Sequence, residues 1–367
     1  MAVSASVPNV SATITAYYLF EVAESIRLGA LQASLGPAAA RATVYDKAPG
    51  APRVRYIQPP VIVDGEVLGE AAIGDFRVRI KFYDYGVVSL ALARSVSCAW
   101  PELVALSQEL VENEVLQSQA EAAFQRILAR IEPSLEGKHV GILDEEYLVV
   151  GVTSCDPPLS AIDMLEQHGS DIAQILRGER QPLSDQEREE VLRHRLSYLA
   201  DDLVVAAWNA AFVYDSEAAM SGAAEVLEFA NSQLLEFRYH DERLEAALGR
   251  IYGALQHPRW IDNLIGRRYL RATRELHSLF IDVNELTDRT ENALKLVGDL
   301  YAARLFTIVA ARLGLDHWKR NVEDKLKTLD DIYRFAVEQT RVSQGNILEL
   351  VIILILVFEL GRSLLGW

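Results

Sequence analysis

Cysteine is nearly absent from these 367 residues: Cys98 and Cys155 stand alone. With no CxxC pair and no Cys/His cluster, a structural zinc site is not expected, and a reducing compartment is the default. The glycines of a phosphate loop are missing, since neither GxxxxGK[ST] nor GxGxxG occurs. The seven histidines are scattered, with no HExxH, and Gly-x-Ser-x-Gly is absent. These gaps remove the enzyme classes a sequence can reveal by motif. No catalytic, cofactor-binding or metal-binding residue is assigned, and no cofactor is expected.

Positive charge is short as well. Lys and Arg number 36 against 52 Asp and Glu, a net charge of −16. Repulsion on that scale argues against direct nucleic-acid binding. No basic side chain precedes Arg27, so neither a secretory signal nor an Arg-rich presequence is read, and the bulk of the chain is expected on the cytoplasmic side. Long apolar runs are missing with one exception. Leu350–Phe358 is nine apolar residues in a row, bracketed by Glu349 and Glu359 in a tail, 347–367, that also carries Arg362 and Trp367.

That tail admits two readings. A spanning helix needs about 20 mostly apolar residues, and runs of about 10–14 are more often buried core helices. Glu349, Glu359 and Arg362 are costly in lipid, although Glu359 and Arg362 are spaced i, i+3 and can pair. The tail is expected either to enter a membrane or to pack in a helical oligomer. The residues expected to anchor or assemble it are Glu349, Leu350, Ile353, Leu354, Val357, Phe358, Glu359 and Arg362.

What is present is enough apolar residue, half the chain, to build a core. Residues 12–19 read as a strand, and 22–35 have helical spacing stopped by Gly36-Pro37. Thr43–Tyr45, Val54–Ile57 and Val61–Val63 are short strand candidates. Residues 76–82 alternate cleanly, Asp84-Tyr85-Gly86 turns, and 87–93 return, a hairpin. Pro101 opens a helix expected to run to about Ile131. Tyr147–Val152 is a strand, and Ser184 with Glu187 forms a capping-box pattern for a helix reaching about Tyr198. Residues 202–214 read as one long central strand with Trp208 in the core.

After Asp215 the pattern is helical. One helix is expected over 219–255. A heptad seam then runs from Ile265 to Leu300, and a second from Val322 through Leu326 and Leu329 into the tail. Gly314-Leu315-Asp316 between the seams implies an antiparallel hairpin. The cluster Glu236–Arg243 pairs Glu236 with His240 and Arg238 with Glu242 at i, i+4. It reads as a solvated face, with an acid–base pair as the alternative. Asp201-Asp202 reads as turn chemistry, with cation binding as the alternative. The stripe Arg267, Arg268, Arg271 and Arg274 is expected to pair with neighbouring acids or to meet an anionic partner.

Certain segments carry a resemblance. Leu348-Glu349-Leu350-Val351-Ile352-Ile353 with Glu359 downstream, Phe82-Tyr83-Asp84-Tyr85-Gly86-Val87-Val88, Thr15-Ala16-Tyr17-Tyr18 and Asp201–Val205 together resemble the required-for-meiotic-nuclear-division family, also called domain of unknown function 155. Leu350 departs from the aromatic residue often found there, and 130–180 matches nothing in the pattern. The resemblance implies a C-terminally anchored membrane protein without established enzymatic activity, of a bacterial branch.

The expected fold is therefore α+β. A mixed α/β domain, 1–215, would be followed by a long antiparallel helical hairpin, 216–346, and a hydrophobic, transmembrane C-terminal segment, 347–367. The expected function is a membrane-anchored, self-assembling scaffold or tether at the bacterial inner membrane. Its partners would be lipid, further copies of itself and an unidentified protein. Two alternatives stand beside it: an enzyme of unrecognised class with its site in the α+β domain, and a soluble oligomer whose tails share a hydrophobic core.

Overall fold

The fold is that of a computed structural model, which describes residues 7–36, 39–41, 54, 56, 58–65, 68–70, 74–256, 281, 300–332 and 334. Ten strands form one mixed sheet: β1 (Asn9–Ile26), β2 (Ala39–Arg41), β3 (Val61–Asp64), β4 (Leu68–Glu70), β5 (Gly74–Phe82), β6 (Val87–Ala99), β7 (Leu135–Asp156), β8 (Arg195–Leu196), β9 (Leu203–Ala206) and β10 (Ala210–Tyr214). The order across the sheet is β2-β3-β5-β6-β1-β7-β10-β9-β8, with β4 beside β5. Neighbours are antiparallel except β7 and β10, which run parallel. The helices are α1 (Leu28–Leu35), α2 (Trp100–Leu110), α3 (Glu114–Ile131), α4 (Ala161–Arg177), α5 (Asp185–Leu192), α6 (Glu217–Gln256) and α7 (Leu300–Leu313), and 315–332 is helical as well. Residues 1–239 with 289–316 form one compact unit, and 240–288 with 317–367 another.

The central strand is β1. Its residues Val10, Ala12, Ile14, Ala16, Tyr18 and Phe20 alternate onto one face and enter the main core. Trp100 and Leu103 of α2, Leu116 and Phe124 of α3, and Met164 and Ile172 of α4 fill that core from above. Phe20 stacks on Phe124 with ring centroids 3.8 Å apart. On the opposite face Tyr17, Leu19, Val87, Tyr147 and Val149 are buried too. Residues 217–239 of α6 lie across this second face. A side-chain carbon at Gly151 of β7 would fall 2.3 Å from Met220 Sδ of α6, so the missing Cβ sets how closely the helix approaches.

The hairpin expected at 76–93 is present as β5 and β6. Gly86 closes it at φ +95°, where a Cβ would lie 1.8 Å from the carbonyl oxygen of Ala23. Only glycine fits that contact. The same turn ties β1 in place: Val22 N–H donates to Gly86 O at 3.0 Å and Ile26 N–H to Asp84 O at 2.8 Å.

Several expectations are corrected. The helical spacing of 22–35 yields to sheet pairing, because β1 continues to Ile26 opposite Leu135 and only Leu28–Leu35 is helical. The helix from Pro101 breaks at Glu112, whose φ is +53°, and restarts with Asn113 as its N-cap. Residues 202–214 are two strands, not one: Ala207 N–H donates to Ala210 O at 2.7 Å, and Trp208 on the turn is 45% exposed. Both faces of this hairpin are buried, so its sequence shows no alternation to mark the turn. Ser184 caps α5, but that helix stops at Leu192 and Glu187 turns to Arg177.

The fold class is corrected with them. The chain is built on a large mixed ten-stranded sheet with helices, and no long antiparallel hairpin ending in a membrane helix is indicated. Among the described residues no helix is long and apolar enough to cross a membrane. The first heptad seam lies outside the described residues except for Leu300. The start of the second is buried at Val322, Leu326 and Leu329, but its neighbour is α6. Within the second unit Lys325 Nζ reaches Asp241 at 3.0 Å and Glu245 at 2.5 Å. A seam records that a helix is packed, not what it is packed against.

Candidate functional site

The densest gathering of buried polar side chains lies between the second face of the sheet and α6. It arises from strand register. Lys81 of β5 sits opposite Ser89 of β6, which sits opposite Leu19 of β1, which sits opposite Glu145 of β7. One row across the sheet thus carries a cation, a hydroxyl and a carboxylate on one side. All three polar residues are less than a tenth exposed. Burying such charges is costly unless each finds a partner.

The partners come from α6. Lys81 forms a buried ion pair with Glu228, and Glu145 one with Arg238. Tyr85 and Ser232 share a buried hydrogen bond of 2.7 Å, and the Ser232 hydroxyl also reaches the carbonyl of Phe229 at 2.7 Å. Tyr83 and Tyr85 stack at 5.0 Å, and Tyr56 meets Phe229 edge-on at 5.9 Å. Lys81 Nζ lies 5.8 Å from the Tyr83 ring centroid. Burial, followed by the carboxylates Glu228 and Glu225, pushes the Tyr17 phenol far up. Burial and Glu228 do the same to Tyr83, so these hydroxyls stay protonated. Glu145 is also pushed up, by burial, with Arg238 acting against it. Further along, Tyr239 stacks on His139 at 4.1 Å, and His139 Nδ1 is 3.9 Å from Glu21.

A second group sits on the opposite face. The Tyr18 hydroxyl donates to Glu146 at 3.2 Å, and Asn209 donates to Glu112 at 3.0 Å. Burial, helped by Glu112, Asp144 and Glu145, pushes Glu146 up to about 7, with the Tyr18 hydrogen bond opposing. A third joins Trp100, whose indole donates to Asp171 at 2.8 Å, to His168, which is 3.6 Å from the same oxygen.

The residues singled out in the sequence fare unevenly. Glu349, Leu350, Ile353, Leu354, Val357, Phe358, Glu359 and Arg362 all lie outside the described residues, as do Arg267, Arg268, Arg271 and Arg274. The 236–243 stretch is not a solvated face: Glu236 is 5% and His240 7% exposed, and Arg238 is spent on Glu145. Asp202 does turn chemistry, accepting from the amides of Tyr198 at 2.6 Å and Leu199 at 2.5 Å. Lys81 and Glu145 belong to no motif, and Tyr85 is read as a turn residue. Lys81 shares its strand phase with the exposed Arg77 and Arg79, opposite the buried Phe76, Val78, Ile80 and Phe82, so the alternation marks it for solvent. Among the described residues no group of three or more His, Cys, Asp or Glu side chains could hold a metal ion.

A family model described as "Uncharacterized protein MJ0711, N-terminal domain" matches residues 11–221, more than half of the chain. The chain belongs to this family. The match spans β1 to the first turn of α6, so the sheet is the family's domain. Among curated proteins, "Uncharacterized protein MJ0711" of Methanocaldococcus jannaschii is 23% identical over 200 residues, covering 54% of this chain and 61% of the relative. This chain thus spans under two thirds of that relative. No solved structure matches. The membership replaces the resemblance to the required-for-meiotic-nuclear-division family, which rests on short segments alone. Membrane anchoring and an inner-membrane location, which rested on that resemblance and on the tail, are withdrawn with it: no helix among the described residues can cross a membrane.

Proposed function

We propose that this chain is a non-catalytic, self-associating scaffold in which the sheet fixes a long helix as its interaction element. The observation that carries the reading is the fastening of α6. Lys81–Glu228, Tyr85–Ser232 and Glu145–Arg238 hold it to the sheet at three successive places. Directional polar contacts under a helix fix its register more tightly than an apolar interface alone. The polar groups gathered there are engaged in holding the buried stretch 226–237, and the later part of the helix, where Glu242, Ala246 and Tyr252 are exposed, is the surface offered to further copies.

Sedimentation velocity on the full chain over a concentration series tests this. A reversible rise in sedimentation coefficient with concentration is expected. A species that stays monomeric throughout would overturn the reading.

A second reading, an enzyme with its site in the sheet domain, is favoured by Glu146 alone. Its carboxyl gains and loses a proton near neutrality beside the Tyr18 hydroxyl, the property of an acid–base group. Glu146→Gln would abolish such an activity and leave self-association untouched.

A further inference from the structure

Where α4, α5, β8 and α7 meet, three arginines and a histidine face two glutamates. Arg177 of α4 grips Glu187 of α5 through Nε at 2.8 Å and Nη2 at 2.6 Å. Arg193 holds Glu190 at 2.8 Å. Each carboxylate is therefore already engaged by an arginine. Arg312, from the last turn of α7, is left over. Its side chain is 15% exposed, and its Nη1 stands 3.7 Å from Glu190, beyond hydrogen-bond reach. Among the described residues its buried Nε has no hydrogen-bond partner, and neither has the buried Nδ1 of His194.

These groups sense one another. Burial, then the neighbouring Arg177, lowers the pKa of Arg312, and burial, then Arg312, lowers that of His194. The histidine ring is thus neutral at pH 7 and can offer Nδ1–H as a donor. Three guanidinium groups against two carboxylates leave one positive charge uncompensated, with two buried donors unserved beside it. Buried donors in native proteins are almost always satisfied, so two together at a cationic surplus point to a missing acceptor with negative charge. A guanidinium fork is shaped for an oxyanion, and a phosphate group offers several acceptor oxygens at once.

We propose that this junction is a binding site for a phosphate group, as inorganic phosphate or as a small phosphomonoester, with Arg312 and His194 donating to its oxygens. Arg177 adds positive charge close enough to act on Arg312, while Glu187 holds Arg177 and Glu190 holds Arg193. Glu190 also competes with the ligand for Arg312.

Titration calorimetry on the full chain at fixed ionic strength tests this, with inorganic phosphate and phenyl phosphate as probes and chloride as the reference. Saturable binding of at least one phosphate probe is expected, absent with chloride. Preference for phenyl phosphate would assign the site to esters, and equal binding to the free anion. Arg312→Gln should weaken affinity by about tenfold or more, the loss of one charge-assisted contact. Glu190→Gln should tighten it by a few fold, a gain that a purely structural ion network would not produce. Arg188→Gln, which removes a pair with Asp185 inside α5, should leave affinity unchanged. If neither probe binds beyond chloride, or if Glu190→Gln fails to tighten binding, the proposal is wrong. Should Arg312→Gln not fold, the Glu190 variant decides alone.

Discussion

At the scale of residues, this protein places charge where water is excluded and then neutralises it across the chain. Lys81 and Glu228 are both buried. Removing one charge of such a pair leaves the other unpaired and costs about 3–5 kcal/mol, whereas an apolar replacement of both is often neutral. Glu228→Gln should therefore lower the urea midpoint sharply, and the double variant Lys81→Met/Glu228→Leu should recover most of the loss. If the single variant melts like the wild type, the pair is not the clamp described. Glu146 works in the opposite sense. Its carboxyl is pushed up from the ordinary 4.5 to about 7 by burial and by Glu112, Asp144 and Glu145. A raised folded-state pKa means that its contribution is fully present below about pH 4.5 and is lost as pH rises through 7. Glu146→Gln keeps an acceptor for the Tyr18 hydroxyl and cannot ionise. It should be more stable than wild type at pH 8, with the gap closing by pH 5, measured by chemical denaturation at each pH. A constant gap would show that Glu146 does not titrate in this range.

At the scale of elements, local pattern and long-range pairing competed, and pairing won wherever β1 was involved. The sequence reads helical spacing from residue 22, yet β7 pairs with β1 as far as Ile26 and the β5–β6 turn supplies the carbonyls of Gly86 and Asp84 on the other side, and the strand takes both. Local signals prevailed where nothing distant opposed them. Ser184 caps α5, Pro101 lies in the first turn of α2, and the alternation of 76–82 is β5. The sheet's second face bears on the independence of residues 1–215. A chain ending at Asp215 keeps all ten strands but removes α6 from Tyr17, Leu19, Tyr147 and Val149, and leaves Lys81 and Glu145 without their partners. Apolar surface on that scale cannot stay open to water in a stable domain. That fragment is expected to melt without cooperativity, whereas the full chain melts cooperatively in calorimetry. A sharp transition in the fragment would show that the sheet needs only its first layer of helices.

At the scale of the whole molecule, the division into two compact units runs through α6 after Tyr239, with 289–316 returning to the first. Local reading could not find that division, because 217–256 is one helix and carries no break. The sequence by itself determined which segments are strand and turn in the 76–93 hairpin, the capping of α5 by Ser184, and the strongly acidic charge. The hairpin and the cap depend on residues two to four apart, which any window of sequence contains, and the charge is a sum over composition. Only the tertiary structure decided that Lys81 meets Glu228, 147 residues away, that Arg238 meets Glu145, 93 residues away, and that Glu236 and His240 are buried rather than wet. The physical reason is that burial belongs to a surface and its covering layer together. A helix shows which of its faces is apolar, but whether a polar face turns to water or to a buried carboxylate depends on what lies opposite, and that is chosen when the whole chain packs.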